Sequence, residues 1–136
     1  MASNPFPATD PQSQPEEEPF YQGLLVGEVR VPWCTRCGCH VWRPKSHCTT
    51  CYRPVSEWRT LPGTGEVHSY CVIHKGEGAF AELAPYVLAW VQLDDGPMIL
   101  ANVAGPPDDA RIGVRLRLVM PGSTDGRRRG PVFVAE

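Results

Sequence analysis

From residue 61 onward, apolar and polar residues alternate with a period of two, which is the pattern of half-buried β-strands. The clearest segment is 86–94, where one face of the predicted strand holds Val87, Ala89, Val91 and Leu93. The same alternation recurs over residues 66–74, 98–104, 114–118 and 131–134. Since a sandwich needs about seven strands, these five short segments predict a closed five-stranded barrel of the OB type. The helix that often follows the third strand of such barrels is here expected to shrink to the loop 107–112.

Before the barrel, residues 20–29 have a helical rather than a β pattern. Their apolar residues recur at the spacing of one helix face, and they are Phe20, Tyr21, Leu24 and Leu25. Gly23 and Gly27 weaken the predicted helix by about 1 kcal/mol each relative to Ala. Such a marginal helix needs a surface to lie on. It either covers its own domain or lays these four side chains into a groove of a partner protein.

Residues 1–19 contain five Pro and four acidic residues with no basic residue. A segment of this composition buries too little apolar surface to offset the entropy of ordering it, so we predict a disordered acidic tail. The chain is therefore expected to divide into a tail (1–19), a helix with a cysteine-rich module (20–60) and the barrel (61–136).

The cysteine-rich module contains two Cys-x-x-Cys pairs separated by ten residues: Cys34, Cys37, Cys48 and Cys51. Each pair forms a turn that aims two sulfurs at one point, and four thiolates in a tetrahedron suit Zn²⁺. Because all four positions are taken by protein ligands, we predict one structural zinc ion in a zinc ribbon. The alternatives are two disulfides, which need an oxidising compartment, or a redox motif, which would occur once beside a βαβ unit.

Two cysteines remain. Cys39 lies inside the ribbon and is expected to be a bystander, while Cys71 is expected to be a small buried thiol in a strand. Aromatic residues also concentrate around the ribbon: Trp33, Trp42, Tyr52 and Trp58. They are interpreted either as a base-stacking set or as the apolar filling that a small metal module needs in place of a core.

The formal net charge is −2, which gives no strong attraction to nucleic acid or to an anionic membrane. No apolar run approaches the roughly 18 residues of a transmembrane helix. The first residues have neither a basic start nor an apolar segment, so no signal peptide is expected. We therefore expect a cytoplasmic protein with no membrane partner.

No group of residues in the sequence predicts an active site. Asp94, Asp95, Asp108 and Asp109 all fall in predicted turns, where Asp is favoured for its local hydrogen bonds. We therefore expect a chain that is not an enzyme by itself. Two loops are candidates for holding phosphate groups, one with Lys75 and the other with three consecutive arginines, Arg127, Arg128 and Arg129.

Taken in order, the motifs FYQGLLVGEV, CTRC and CTTC with RPKSHC, GTGEVHSYCVIH, PYVLAWVQLDDGPMILANVAG, IGVRLRLV and PVFV resemble the DUF35 family. The resemblance implies a rubredoxin-like zinc ribbon joined to an OB-fold, with Cys34, Cys37, Cys48 and Cys51 as the zinc ligands. It also implies a non-catalytic accessory subunit of a thiolase-superfamily enzyme, such as a thiolase, a steroid side-chain acyl-CoA aldolase or an acyltransferase. In such a complex this chain would help to form the acyl-CoA site, and the partner would supply the catalytic residues.

The main alternative is a single-stranded nucleic-acid-binding module, because zinc ribbons and OB-folds both serve in that role. The near-neutral charge and the lack of a continuous basic stripe count against it.

Overall fold

The computed structural model describes residues 5–6, 15–119 and 130–136. The first helix, α1, spans Glu18–Leu25 and follows a 3₁₀ turn over Pro15–Glu17. Pro19 lies in the first turn, where a missing N–H costs no helical hydrogen bond. The helix was predicted over 20–29, and that boundary is wrong at both ends. It stops at Leu25 because Gly27 has a φ of 79°, and an extended strand begins at Val29.

The cysteine-rich module is built on a three-stranded antiparallel sheet. Its strands are β1 (Val29–Cys34), β2 (Cys39–His40) and β3 (Glu57–Leu61), in the order β2-β1-β3. Strand β1 lies at the centre, so that Trp33 is opposite His40 on one side and opposite Glu57 on the other. This sheet carries the cysteines at one end and leads directly into the barrel at Leu61.

Five further strands form a closed barrel in the order β4-β5-β6-β8-β7. They are β4 (Thr64–Ile73), β5 (Tyr86–Leu93), β6 (Met98–Ala104), β7 (Arg115–Leu118) and β8 (Val132–Ala135). All neighbours are antiparallel except β6 and β8. The predicted five-stranded OB-type barrel is confirmed. In place of a helix between β6 and β7 there is a single 3₁₀ turn, Pro107–Asp109.

The barrel interior is filled by the residues that the period-2 pattern selected. All of Val87, Ala89, Val91, Leu93, Ile99, Ala101 and Val103 are buried. Leu116 and Phe133 complete this interior and are fully buried. Each large side chain removed from water in this way stabilises the fold by roughly 1.5–3 kcal/mol. The alternation predicted over 114–118 is only partly confirmed, because Val114, just before β7, and Leu118 are half-buried.

The core continues from the barrel into α1 and the ribbon. Phe20, Tyr21 and Leu24 are buried in the same cluster as Val29 and Val31 of β1. The ring of Phe20 meets Trp42 edge to face, with 5.1 Å between ring centroids. The helix therefore covers its own chain, which is the first of the two interpretations given for it. For these three residues the predicted docking on a partner is corrected, because their surface is already buried; Leu25 is half-buried.

Two other expectations differ from the structure. Residues 15–19, which were assigned to the tail, are helical, and Phe6 is buried against Phe80 and Tyr86. Cys71 was expected to be buried but is exposed. Strand β4 has a bulge between Val67 and Ser69, and this irregularity changes which of its later residues face outward. The division at 1–19, 20–60 and 61–136 stays a prediction.

Candidate metal centre

The four predicted ligands meet at one point at the end of the ribbon. The sulfurs of Cys34 and Cys51 are 3.7 Å apart, those of Cys37 and Cys48 are 3.9 Å apart, and all four lie within 4.8 Å of one another. A tetrahedral zinc site with Zn–S bonds of about 2.3 Å has sulfurs about 3.8 Å apart. The cluster could therefore hold a metal ion, and its dimensions fit zinc.

Each Cys-x-x-Cys pair is held by a tight turn whose backbone points at a sulfur. The N–H of Cys37 donates to Sγ of Cys34 at 3.4 Å, and the N–H of Thr50 donates to Sγ of Cys48 at 3.3 Å. Gly38 and Tyr52 close the two turns with φ values of 63° and 61°. Since an N–H directed at sulfur favours the thiolate, the turns prepare the sulfurs for a cation.

Two of the four thiols, those of Cys37 and Cys48, have very different pKa values in the chain by itself. Backbone hydrogen bonds from Cys51 and Thr50 lower the pKa of Cys48 to about 6. The hydrogen bond to Cys51, followed by burial and the other sulfurs, raises the pKa of Cys37 to about 12. The Cys48 thiolate thus forms readily, while the Cys37 thiol keeps its proton. A divalent cation would displace the remaining thiol protons and turn all four groups into ligands.

Cys39 packs against this cluster but is not one of the four sulfurs that converge. Its position outside the converging group agrees with its predicted role as a bystander.

Beside the metal centre, the ribbon meets the barrel at a cleft of about 540 Å³. His40 of β2 contacts the ring of Trp33 edge to face at 4.8 Å, and the guanidinium of Arg59 lies 3.8 Å from the centroid of that ring. On the barrel side, the main-chain carbonyl of Asp95 accepts a hydrogen bond from His40 Nε2 at 2.8 Å. No local pattern in the sequence indicates this contact between His40 and Asp95, which are 55 positions apart.

The aromatic residues of the ribbon do not form one stacking surface. Trp33 is covered by Arg59, and Trp42 packs on Phe20. Trp58 packs against the core, whereas Tyr52 is exposed. The ribbon aromatics therefore serve mainly as packing, which favours the second of the two interpretations over base stacking.

One ion pair joins three barrel strands. Asp94, at the end of β5, accepts a hydrogen bond from Thr64 Oγ1 at 2.6 Å and pairs with both terminal nitrogens of Arg115 on β7. These bonds, from Arg115 first and Thr64 second, lower the pKa of Asp94 to about 2. The sequence suggested only that Asp94 occupies a turn.

Of the four predicted phosphate-binding residues, the structure describes one. Lys75 is exposed just after β4. Arg127, Arg128 and Arg129 lie outside the described residues. Within the part of the chain that the structure describes, no helix is long and apolar enough to cross a membrane.

Comparison with known proteins supports the resemblance inferred from the motifs. The family model described as "ChsH2, C-terminal OB-fold domain" matches residues 58–120. A DUF35 domain-containing scaffold protein of Methanocaldococcus jannaschii is 32% identical over 88 residues, which are 63% of this chain and 62% of the relative. These matches support the DUF35 family for this chain. A second DUF35 scaffold protein, from Methanothermobacter thermautotrophicus, is also 32% identical over 88 residues, or 63% of this chain.

The match spans 62% and 66% of the lengths of these two DUF35 relatives. Among solved structures, the Ltp2-ChsH2(DUF35) aldolase contains a similar chain with a TM-score of 0.78 and 25% identity. That similarity covers 92% of this chain and 98% of the solved one. It therefore extends over the helix, the ribbon and the barrel together.

Proposed function

We propose that this chain is a non-catalytic scaffold subunit of an acyl-CoA enzyme with a thiolase-type partner. The partner would be a thiolase, a steroid side-chain acyl-CoA aldolase or an acyltransferase. The observation that carries the proposal is the similarity over 92% of the chain to the DUF35 component of the Ltp2-ChsH2(DUF35) aldolase. The scaffold naming of the archaeal relatives supports the same role.

The proposed metal is one structural Zn²⁺ held by Cys34, Cys37, Cys48 and Cys51. The support is the near-tetrahedral spacing of their sulfurs. With four protein ligands no position remains for a substrate, so the ion would stabilise the ribbon and take no part in a reaction. The contacts between ribbon and barrel would then hold both parts as one surface for the partner.

A contribution to the acyl-CoA site is the finer part of the proposal. Lys75 and the three arginines Arg127, Arg128 and Arg129 would bind CoA phosphates, since guanidinium groups form paired hydrogen bonds with phosphate oxygens. The support is their charge and, for Lys75, its exposure beside the end of β4.

The proposal is tested by co-purification from the native source under cytoplasmic, reducing conditions. We expect a thiolase-fold protein to bind the chain, its acyl-CoA activity to fall when the chain is removed, and that activity to return when the purified chain is added. Full acyl-CoA cleavage by the isolated chain would overturn the non-catalytic role. If no thiolase-fold protein is recovered, the proposed partner is wrong. Replacing Arg127, Arg128 and Arg129 together by Gln should weaken acyl-CoA affinity of the complex; unchanged affinity would exclude these residues from the site.

A further inference from the structure

The outer surface of the barrel carries an apolar area across β4, β5 and β6. Trp90 lies at its centre, opposite Ser69 on β4 and Leu100 on β6, and Leu88 lies opposite Cys71. Trp90 is 45% exposed and Leu100 is 42% exposed. Together with Tyr70, these residues line a shallow depression of about 380 Å³. We call this area the apolar sheet face and define it by its outward-facing residues, which are Ser69, Cys71, Leu88, Trp90 and Leu100.

The apolar sheet face has no formal charge. Strands β4, β5 and β6 contain one acidic residue, Glu66, and no Lys or Arg. A surface for nucleic acid needs basic residues for the phosphates, and a membrane-surface site usually has Lys or Arg at its margin. An uncharged centre with Trp and Leu is instead the composition of a protein interface core.

A neighbouring part of the barrel shows how this chain treats an apolar outer surface. Tyr86, Ala104 and Val132 also face outward, and they are covered by Phe6 together with Phe80 and Leu83. The apolar sheet face begins two residues further along β5, at Leu88, where Trp90 is left about half exposed. The covered and uncovered surfaces are therefore continuous along one strand.

Strand β4 adds a second observation that points to a polypeptide. Strand β5 pairs with β4 along its length up to Ile73, whereas β7 pairs only with Thr64, Gly65 and Glu66. Among the described strands, the segment from Ser69 to Ile73 is thus paired along one edge only. A free edge beside an apolar surface can accept an extended segment of another protein through main-chain hydrogen bonds.

We propose that the apolar sheet face is the surface on which the thiolase-type partner subunit docks, with an extended, uncharged segment of that subunit beside the free edge of β4. This rests on the proposed function for the identity of the partner. The ring of Trp90 would be the central anchor, because a buried Trp surrounded by smaller apolar residues is typical of interface hot spots.

The test uses the thiolase-fold protein that co-purifies with the chain, produced separately and mixed with variants of the full chain. Trp90→Ser and Leu100→Ser should each weaken the binding at least about tenfold. Ile112→Ser is the matched control, since Ile112 is 72% exposed on the same barrel but outside the face, and it should change the affinity less than twofold. Circular dichroism and metal content, unchanged in all three variants, would exclude unfolding as the cause.

A thiol footprint provides a measurement that does not depend on a destabilising change. Cys71 is exposed within the face, so its alkylation in the metal-loaded chain should slow at least about tenfold when the partner is bound. In a Cys71→Ser background, a thiol introduced by Ile112→Cys should react equally fast with and without the partner.

The outcomes separate the two proposals. If the wild-type chain binds the partner but neither Trp90→Ser nor the footprint responds, the docking surface is wrong and the proposed function stands. If no thiolase-fold protein binds the wild-type chain, the proposed function itself fails. If light scattering shows that the chain alone is a dimer which Trp90→Ser converts to a monomer, the face belongs to a second copy and the inference is overturned.

Discussion

His40 Nε2 donates a hydrogen bond to the main-chain carbonyl of Asp95 over 2.8 Å, and this contact ties the ribbon to the turn between β5 and β6. The two residues are 55 positions apart in the chain. Asp95 adopts a φ of 59°, the left-handed conformation that a tight hairpin turn requires. The ring of His40 is held on its other side by Trp33. The imidazole of His40 thus joins the ribbon to the barrel from a position outside the four-sulfur cluster.

Replacing His40 by Phe should keep the ring contact with Trp33 and remove the hydrogen bond to Asp95. We expect a loss of about 0.5–1.5 kcal/mol in the free energy of unfolding, the net value of one such bond. Hydrogen exchange should accelerate in β2 and in the turn at Asp95 before it does in the barrel core. His47→Phe is the control, because His47 bonds Ser46 within its own turn. Equal losses of stability in His40→Phe and His47→Phe would argue against a stabilising contact between ribbon and barrel at His40.

The metal centre predicts a difference between cysteines that lie close together. Cys48→Ser should reduce bound zinc from about one ion per chain to well below that level and unfold the ribbon, since zinc binding supplies much of its folding free energy. Cys39→Ser should keep both the zinc and the fold, because its sulfur stands outside the converging group. Elemental analysis and the absorption spectrum of the cobalt-substituted protein would measure the two effects. Loss of metal in Cys39→Ser would make the assignment of the ligands wrong.

The ion pair at Asp94 predicts a dependence of stability on pH. The pKa of Asp94 is lowered from 3.8 to about 2 in the folded chain, so its contribution is fully present above pH 3.8 and is lost as the pH falls through 2. Asp94→Asn should therefore lower the melting temperature at pH 7 by a few degrees, and its difference from wild type should shrink between pH 4 and pH 2.

Asp108→Asn provides the control, since it removes a carboxylate from another turn of the same barrel. Comparing both variants with wild type at each pH cancels the loss of metal that acid causes in every chain. A difference between Asp94→Asn and wild type that stays constant down to pH 2 would contradict the assigned pKa.

Burial of the helix predicts that Phe20 stabilises this chain rather than a complex. Phe20→Ala should cost about 3–5 kcal/mol in the free energy of unfolding of the isolated chain, because it leaves a cavity against Trp42 and Tyr21. Val26→Ala, at a residue 56% exposed just beyond the helix, should cost less than about 0.5 kcal/mol. Denaturant titration would measure both. Unchanged stability in Phe20→Ala would contradict this role and favour docking of the helix on a partner protein.

Much of the fold follows from patterns that act over short distances along the chain. Alternation with a period of two marked the five barrel strands and selected their buried residues, because successive side chains of a strand must face opposite sides. The spacing of the four cysteines predicted their convergence, since a Cys-x-x-Cys turn places two sulfurs together whatever surrounds it. The motifs also supported the family, whose order of ribbon and barrel the structure contains.

The remaining features were decided by tertiary contacts between distant residues. A helical stripe at Phe20 shows that one face is apolar, but only the fold shows that this chain covers it. As a small thiol in a strand, Cys71 was expected to be buried, and it is exposed beyond a bulge between Val67 and Ser69. The bonds from His40 to Asp95 and from Arg115 to Asp94 join segments whose separation in sequence is unrelated to their distance in space. Local chemistry thus predicted the elements and the convergence of the four cysteines by itself. Which residues cover each face depends on how those elements pack against one another, and only the tertiary structure decided this.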